Sequence, residues 1–398
     1  MTRRSWVIVM GGSLGGLTAA LVLRDIGCEV QVYEKSRTPL EGRGAGIVLH
    51  PSTVRYLTEN KVLNLEEVSA SARWFRYLDK DGNVIHQEPC RYRFTSYYTL
   101  YQGLLRAFGE KHYNLGRPVI GFRQGERCVT VDVDGEGQRE CDLLVCADGI
   151  HSTARAILFP QVTPQYAGYV GWRGTVGEGR LHRAVFSLLD EAITYFVMPH
   201  GHILAYPIPG LKTSSRSERR LTNFVWYRNV PEGDPLQNLM RGRSGRRYPV
   251  SLPPGEVRER YVAELRTAAI SQLPPPLAEM VRATEEPFVQ AVFDIEVPRM
   301  SVGRICLIGD AAFALRPHAA AGTAKAAEDA WRLGKALRDS GHDVGLALER
   351  WEPAQLALGR QVLERTREAG NRSQFDGTWK PGDPLPFGLY QTGDSAMA

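Results

Sequence analysis

Residues 309–322, GDAAFALRPHAAAG, place an acid and a short basic cluster among very small side chains. They follow the apolar run of residues 305–308, so Asp310 comes directly after a predicted buried strand. Small residues allow a backbone to approach another molecule closely. Histidine changes charge near neutral pH, so His318 has a side chain that can act as a general base. The composition of this segment therefore predicts close contact with a ligand.

A glycine-rich turn, GGSLGG at residues 11–16, lies near the start of the chain. It follows the apolar run of residues 6–10 and precedes a helical pattern, as in a dinucleotide-binding unit. Such glycines permit a tight turn and let a pyrophosphate lie on the helix N-terminus. Glu34, 23 residues after Gly11, can bind the hydroxyls of an adenosine ribose. Ser13 departs from the usual glycine, and a turn of another α/β fold is the alternative.

Composition excludes several classes of protein. The 398 residues carry 49 Lys and Arg against 44 Asp and Glu, and the basic residues are scattered, which argues against nucleic-acid binding. The six cysteines never form a C-x-x-C pair, so we predict no metal site and expect reduced thiols in a cytoplasmic protein. The first apolar run is too short for a secretion signal. No stretch approaches the roughly 18 apolar residues of a membrane span.

Two further apolar runs end in an acid, DLLVCADG (142–149) and RICLIGDA (304–311). The strand ends that can contact a nucleotide are therefore far apart in the sequence, and we predict a nucleotide-binding domain assembled from discontinuous segments. Between them, the runs around Asp81 and Gly82 predict a β-hairpin. Alternating aromatic and β-branched residues over 166–230 predict a largely antiparallel sheet.

Three segments carry a resemblance to a known family. GGSLGG, DGIHSTAR (148–155) and GDAAFALRPHAAAG, in this order, resemble the three signature motifs of the flavoprotein aromatic hydroxylases of the para-hydroxybenzoate hydroxylase family. GAGIVL (44–49) is similar to a segment near the flavin in that family. Five segments resemble the pyridine-ring hydroxylases within it: GGSLGGLTAALVLRD, RFTSYYTLY, YAGYVGWRG, GHILAYPIPG and RPHAAAG.

The resemblance implies a fold and the boundaries of its domains. We expect an α/β protein whose Rossmann-like FAD-binding domain comprises residues 1–72, 101–165 and 296–345. An inserted, mainly antiparallel substrate-binding domain would comprise residues 73–100 and 166–295, and residues 346–398 would form a C-terminal helix and tail. A homodimer is expected by analogy.

The resemblance also implies cofactors. FAD would be reduced by NADPH or NADH, and reduced FAD would react with O2 to a C4a-hydroperoxyflavin that hydroxylates the substrate. The implied cofactor-binding residues are Gly11, Gly12, Ser13, Leu14, Gly15, Gly16, Glu34, Lys35, Arg43, Tyr101, Asp148, Arg155, Asp310, Pro317, Ala321 and Gly322. The family pattern is broken at Phe313, at Ala320 and at Tyr101, where relatives often carry histidine, glycine and arginine.

We expect the substrate to be a small hydroxylated N-heteroaromatic ring of the 2,6-dihydroxypyridine type. Attack on such a ring is faster when a ring hydroxyl is ionised, so a base is useful, and His318 is the first candidate. The other candidate catalytic residues are His202 and Tyr206, on one face of a predicted strand, and His50, for which an exposed loop position is the alternative.

Three residues are candidates for binding the ring itself. Arg173 would be costly inside the substrate domain unless it met an anion or an acid, and an outward position is the alternative. Tyr97 and Tyr98 can stack on a flat ring. An inward Arg173 would favour a carboxylated substrate such as 6-hydroxynicotinate, with decarboxylation, over urate or a phenol. The non-enzyme alternative, a flavin-binding regulatory module, predicts a site without inward polar residues.

Overall fold

The computed structural model of the chain describes residues 4–40, 46–210, 220–384 and 387–396. These residues combine parallel and antiparallel sheets with C-terminal helices, which confirms the predicted fold class. Arg43 and the first two residues of the 44–49 segment lie outside the described residues. Within the described ranges, no helix is both long and apolar enough to cross a membrane.

The strands, in chain order, are β1 (Trp6–Met10), β2 (Glu29–Glu34), β3 (Gly46–Val48), β4 (Ala70–Leu78), β5 (Val84–Ser96), β6 (Tyr113–Leu115), β7 (Val119–Gln124), β8 (Val129–Val133), β9 (Gly137–Cys141), β10 (Leu143–Cys146), β11 (Gln165–Gly177), β12 (Ala192–Met198), β13 (Gly201–Pro209), β14 (Arg220–Asn229), β15 (Ser251–Leu252), β16 (Phe288–Asp294), β17 (Ser301–Val302) and β18 (Ile305–Leu307). The α-helices are α1 (Leu14–Asp25), α2 (Pro51–Glu59), α3 (Leu65–Val68), α4 (Tyr97–Phe108), α5 (Thr153–Leu158), α6 (Arg183–Leu189), α7 (Asp234–Leu239), α8 (Glu259–Gln272), α9 (Pro275–Ala283), α10 (Gly322–Asp339) and α11 (Val344–Asn371). Short 3-10 helices cover Glu110–His112, Glu178–Arg180, Gly309–Ala311 and Pro317–Ala319, and a π-helical turn covers Arg372–Asp376.

The first sheet has the strand order β17-β18-β10-β1-β2-β6. Strands β2, β1, β10 and β18 run parallel, so the three apolar runs that end in an acid or a glycine lie side by side, as the sequence predicted. Each of these strands is almost wholly buried, because helices such as α1 and α10 cover the sheet. Their carboxyl ends meet at one edge, where ligands of parallel sheets bind.

The second sheet has the strand order β15-β16-β11-β14-β13-β12-β4-β5-β3, and it is antiparallel except between β12 and β4. The hairpin of β4 and β5 turns where predicted, because Gly82 has a positive φ and the Asp79 carboxylate accepts bonds from two backbone N–H groups of the turn. One face of this sheet packs against α8 and α9, and the other carries a cluster of aromatic side chains.

Two features differ from the sequence-based expectation. Strand β3, placed within the cofactor segment 1–72, pairs with β5 in the second sheet, and β4 already begins at Ala70. A separate antiparallel sheet, β7-β8-β9, lies within the segment 101–165. Local patterns cannot reveal which distant strand a three-residue strand joins. The division of the whole chain into the three expected domains stays a prediction.

Candidate active site

A cavity of about 390 Å³ is lined by residues from both sheets. The glycine-rich turn, the segment 308–323 and the β10 end contribute one wall. The aromatic face of the second sheet contributes the other. The lining residues from the expected site are Ser13, Leu14, Gly15, Tyr97, Arg173, His202, Tyr206, Asp310, Pro317, His318, Ala321 and Gly322. The fold therefore brings the implied cofactor segments and most of the candidate ring-contacting residues together.

The glycine-rich turn is held by close backbone packing. Gly11 has φ +100°, and a Cβ there would collide with the carbonyl oxygen of Ala147. A Cβ on Gly16 would collide with the carbonyl oxygen of Gly11. Ser13 precedes α1 but makes no side-chain cap bond, because its Oγ lies 2.6 Å from the Tyr97 hydroxyl oxygen. The first N–H groups of α1 thus keep their capacity to bind an anion such as a phosphate.

Glu34 ends β2 in a buried position beside this turn. One carboxylate oxygen accepts from the Gly12 N–H at 2.9 Å, and the other accepts from the Ser36 N–H at 2.8 Å. Lys35, the next residue, is exposed. Each carboxylate oxygen has a further lone pair, so Glu34 can still accept from ribose hydroxyls.

Tyr101 is fully buried and does not line the cavity. Its hydroxyl oxygen lies 3.2 Å from that of Tyr113, and Tyr113 donates to the Gly12 carbonyl at 2.8 Å. A direct FAD contact by Tyr101 is therefore wrong for this chain: the residue supports the turn through Tyr113, because it has no exposed surface to offer.

The second motif is joined to the third by Arg155. Its guanidinium is buried and donates to the backbone carbonyls of Ala311 at 3.0 Å and Asp310 at 3.4 Å. Asp148 accepts from the Ala154 N–H through Oδ2 at 3.2 Å, while its Oδ1 has no protein partner among the described residues. Burial raises the pKa of Asp148. Arg155 thus fixes the relative position of two motifs, and Asp148 keeps one acceptor free.

Asp310 projects into the cavity from the short helix that follows β18. Its side chain is open to the cavity, yet protein atoms surround it, and this partial burial raises its pKa to about 6 against the lowering effect of Arg155. Helix α10 begins at Gly322 without a side-chain cap. Its first residues line the cavity, so a second helix N-terminus faces it. Gly309 donates its N–H to Asp329 at 3.0 Å, which anchors the start of the segment.

These features fit FAD. Two uncapped helix N-termini suit a pyrophosphate, and the small residues of the turn and of 319–322 leave room for close approach. Asp310, which lines the cavity, suits the hydroxyls of a sugar-alcohol chain. Pro317, in the short helix before α10, lies on the same wall and shapes the turn toward it.

His318 lines the cavity and is 5% exposed. Its Nε2 lies 2.7 Å from the Tyr169 hydroxyl oxygen, and its Nδ1 has no partner among the described residues. Burial, and then the nearby His202 and Arg316, lower the pKa of His318 well below its usual value. A neutral imidazole with so low a pKa is a weak proton acceptor, which weakens the base role suggested by the sequence.

His202 and Tyr206 lie on β13 and line the cavity, four residues apart on one face as predicted. The Nδ1 of His202 lies 2.5 Å from the Ser373 Oγ, and burial lowers its pKa to about 3. The Tyr206 hydroxyl donates to the Gly46 carbonyl at 3.0 Å, and burial raises its pKa. Tyr206 therefore forms part of the cavity wall, and its hydroxyl proton is already donated to a backbone carbonyl.

Arg173 on β11 also lines the cavity, so the outward alternative is wrong. No carboxylate among the described residues forms an ion pair with it, and its Nε has no partner there. Its charge lowers the pKa of both Tyr206 and Tyr227, although burial dominates and raises them. The ring-facing wall thus carries a positive charge that an anion can neutralise.

The expectations for two candidate residues, Tyr98 and His50, need correction. Tyr97 lines the cavity but Tyr98 does not. His50 is buried rather than exposed, and it does not line the cavity. It is the N-cap of α2: its Nδ1 accepts from the Ser52 N–H at 3.1 Å, and its Nε2 lies 3.3 Å from Asp394. We therefore assign His50 to helix capping.

Arg316, in the 309–322 segment, is buried. Its guanidinium forms a two-pronged ion pair with Asp294 at 2.8 and 3.0 Å and donates to Asn371 at 2.9 Å. Hydrogen bonding to Asp294 keeps the pKa of Arg316 raised despite burial. The residue therefore ties the 309–322 segment to the end of β16.

The sequence analysis missed several aromatic wall residues. Tyr195, Tyr227, Trp379 and Phe387 line the cavity, and the Trp379 ring centroid lies 4.7 Å from that of His202. Tyr195 and Tyr227 belong to strand-like aromatic runs, and the pattern of these runs does not predict which face of the sheet each side chain occupies. Trp379 and Phe387 belong to the segment interpreted as an irregular tail, which has no periodic pattern.

Comparison with known proteins identifies the family. The chain is 38% identical to 2,6-dihydroxypyridine 3-monooxygenase of Paenarthrobacter nicotinovorans, over 98% of this chain and 97% of that protein. The chain belongs to the class A FAD-dependent aromatic hydroxylases. Residues 166–294 of this hydroxylase match the family described as FAD binding domain-like. It is also 30% identical to the 3-amino-4-hydroxybenzoate 2-monooxygenase PtmB3 of Streptomyces platensis, over 92% of this chain and 88% of the relative.

The fold of the hydroxylase agrees with this assignment. The solved 2,6-dihydroxypyridine-3-hydroxylase from Arthrobacter nicotinovorans superimposes with a TM-score of 0.92 and 37% identity, covering 98% of each chain. The predictions of an FAD-dependent monooxygenase, of FAD with O2 and a reduced nicotinamide, and of a small aromatic substrate are confirmed. The non-enzyme alternative is wrong, and the cavity indeed carries inward polar groups.

Proposed function

We propose that this hydroxylase acts on a hydroxylated N-heteroaromatic ring of the 2,6-dihydroxypyridine type. The observation that carries the proposal is one cavity in which the cofactor segments face His202, His318 and the unpaired charge of Arg173. Polar groups on an otherwise aromatic wall suit a flat ring with oxygen and nitrogen atoms on its edge. The whole-length similarity to a 2,6-dihydroxypyridine monooxygenase supports the same substrate class.

Residues of the first wall would hold FAD. The N-termini of α1 and α10 would bind its phosphates, Glu34 its ribose, and Asp310 its ribityl hydroxyls. When bound, FAD supplies the redox chemistry and the activation of O2. The protein would supply placement, charge and exclusion of water, and the aromatic side chains Trp379 and Phe387 line the cavity on the side of the second sheet.

Residues of the second wall would hold the ring as an anion. Electrophilic hydroxylation is faster on an ionised hydroxypyridine than on its neutral form, so binding the anion favours the reaction. Arg173 provides a positive charge, and neutral histidines provide polar contacts that do not need a protonated base. Tyr97 can support the flat face of the bound ring by stacking.

Arg173 also favours a second candidate, a carboxylated ring such as 6-hydroxynicotinate or an aminohydroxybenzoate. A carboxylate would pair with the guanidinium, whose Nε has no partner among the described residues. The 30% identity to a 3-amino-4-hydroxybenzoate monooxygenase supports this candidate, although the 2,6-dihydroxypyridine relative is more similar over more of the chain.

The test is a comparison of kcat/KM for product formation from four rings: 2,6-dihydroxypyridine, 6-hydroxynicotinate, 3-amino-4-hydroxybenzoate and urate. The highest value with 2,6-dihydroxypyridine supports the first candidate. A higher value with a carboxylated ring, lost selectively in Arg173→Met, would replace it by the second. Arg228→Met, which changes an arginine on the neighbouring strand β14 outside the cavity, is the matched control.

Three finer points also belong to this proposal. We expect NADPH rather than NADH as the reductant, a cytoplasmic location and a homodimer, all on the analogy to the family. Described cysteines are unpaired, which fits a reducing compartment. Light scattering of the purified protein measures the mass of the assembly directly, and a monomeric mass would reject the dimer.

A further inference from the structure

The Tyr169 hydroxyl is placed to decide which nitrogen of His318 carries the proton. Tyr169 lies on β11, is fully buried and does not line the cavity, and its oxygen is 2.7 Å from His318 Nε2. A β-bulge between Tyr166 and Val170, with Gly168 at φ +86°, turns this part of the strand. Bulges often redirect a side chain beside an active site.

The guanidinium of Arg316 lies over the Tyr169 ring, with its central carbon 5.8 Å from the ring centroid. Its charge lowers the pKa of the Tyr169 hydroxyl, although burial dominates and raises it. The guanidinium is anchored by Asp294 and Asn371, so its orientation is fixed. A guanidinium can only donate hydrogen bonds. Arg316 therefore offers no acceptor for the proton of the buried Tyr169 hydroxyl, which must be donated elsewhere.

Among the described residues, the acceptor in reach of that proton is His318 Nε2. If Nε2 carried a proton instead, it would donate to the Tyr169 oxygen, and the buried tyrosine proton would have no acceptor among the described residues. Buried donors without acceptors are disfavoured, so the favoured tautomer has its proton on Nδ1. The low pKa of His318 keeps the ring neutral, so one proton is all it carries.

We propose that Tyr169 and His318 form a relay, beside the fixed charge of Arg316, that fixes His318 as a hydrogen-bond donor, with its Nδ1–H reserved for an acceptor atom on the bound ring. Nδ1 is a buried polar atom without a protein partner, on a side chain that lines the cavity. An ionised ring oxygen or a deprotonated ring nitrogen fits this donor, and Arg173 supplies the matching charge. Tyr169 is a positioning residue, and His318 touches the substrate.

This assignment rests on the proposed function, since it takes a hydroxylated heteroaromatic as the occupant. It changes the role of His318 from a base that removes a proton to a donor that selects the anion. Specificity then follows from hydrogen-bond polarity. A ring that presents an acceptor atom to His318 Nδ1–H is bound, whereas a ring that presents an N–H or O–H places two donors against each other.

The first test is the tautomer itself. In the FAD-loaded enzyme with 15N-labelled histidine, two-bond proton–nitrogen correlations distinguish a protonated from an unprotonated ring nitrogen, and His318→Asn identifies the signals. We expect protonated Nδ1 and unprotonated Nε2. The reverse pattern for His318 in the wild-type enzyme would overturn the proposal. Because this readout needs no substrate, it is independent of the ring assignment: an enzyme that no ring stimulates would instead overturn the proposed function.

The second test uses Tyr169→Phe, which removes the relay hydroxyl. We expect the His318 tautomer signals to shift toward a mixture and the Kd of 2,6-dihydroxypyridine, measured by the change in flavin absorbance, to rise about tenfold. Tyr166→Phe is the matched control: it removes a hydroxyl on the same strand that donates to Val230, outside the cavity. A Tyr169→Phe enzyme with unchanged tautomer signals and unchanged Kd would overturn the relay.

Discussion

His202 and His318 share the aromatic side of the cavity, with their ring centroids 5.5 Å apart. Burial keeps both neutral, so neither adds to the charge of Arg173. The sequence could predict that these histidines meet, because strand periodicity and the 309–322 motif place them. It could not predict their partners, because Ser373 and Tyr169 lie 171 and 149 residues away along the chain.

Substitutions of His318 separate a base from a donor. A general base predicts that His318→Asn and His318→Leu both lower turnover about 10²-fold with FAD still bound. The donor role predicts that Asn, whose amide nitrogen lies near the position of Nδ1, retains about tenfold more kcat/KM than Leu. Steady-state rates of product formation measure this difference. Equal, large losses in both variants would return His318 to the base role.

The pKa of Asp310 predicts how FAD affinity depends on pH. With a pKa of about 6, the free protein holds this carboxyl protonated below that pH, and a neutral carboxyl is a poorer acceptor for ribityl hydroxyls. FAD affinity should therefore be full above pH 6 and fall by at most about tenfold per pH unit below it. Flavin fluorescence titrations measure the Kd at each pH.

Asp310→Asn should bind FAD more weakly and without this pH dependence. The same raised pKa affects the stability of the FAD-free fold in the opposite direction. The folded chain keeps the proton until about pH 6 and the unfolded chain loses it near 3.8, so ionisation destabilises the fold as pH rises between those values. A wild-type Kd that stays constant from about pH 5 to about pH 8 would contradict the assignment of Asp310.

Two helices, α1 and α10, supply the cofactor wall with N-termini that no side chain caps. The sequence predicted α1 from the strand, turn and helix pattern around GGSLGG. The sequence pattern indicated helix only after Asp329, whereas α10 begins at Gly322, because its start lacks a Ser, Thr, Asn or Asp cap. Between the 3-10 helix 317–319 and α10, Ala320 has φ 53°, in the left-handed region that suits glycine.

Ala320→Gly should relieve this backbone strain. An L-residue in the left-handed region is disfavoured, so we expect the variant to be more stable by about 0.5 to 1 kcal/mol. Thermal unfolding with and without FAD measures the effect. Ala319→Gly is the matched control, since Ala319 is fully buried at a negative φ and should lose stability. A destabilised Ala320→Gly protein would show that the methyl group there packs more usefully than the strain costs.

Across the whole molecule, the substrate side of the cavity is completed by the last part of the chain. After α11, the π-helical turn brings Ser373 to His202, and Trp379 and Phe387 join the wall. An ion pair between Arg372 and Asp383 holds this segment. No periodic pattern in the sequence predicts this arrangement, because an irregular segment is ordered only by distant partners, and those partners are fixed by the finished fold.

Trp379→Leu tests whether this segment keeps water from the reaction. A smaller side chain should admit water. The amount of hydrogen peroxide released per NADPH oxidised should therefore rise at least about twofold, at the expense of hydroxylated product. Tyr390→Leu, a matched change at an exposed position of the same segment outside the cavity, should leave that share unchanged. Equal peroxide from Trp379→Leu and the wild type would remove Trp379 from the closing role.

The most direct test of the proposed function is the fate of each NADPH that the yellow, FAD-loaded protein oxidises with and without 2,6-dihydroxypyridine. Product and hydrogen peroxide are measured together. We predict that the ring strongly stimulates NADPH oxidation and that nearly one molecule of hydroxylated product forms for each NADPH oxidised. Stimulation that yields mainly peroxide, or no stimulation by any of the hydroxylated rings, would contradict the assignment of a hydroxylated N-heteroaromatic substrate.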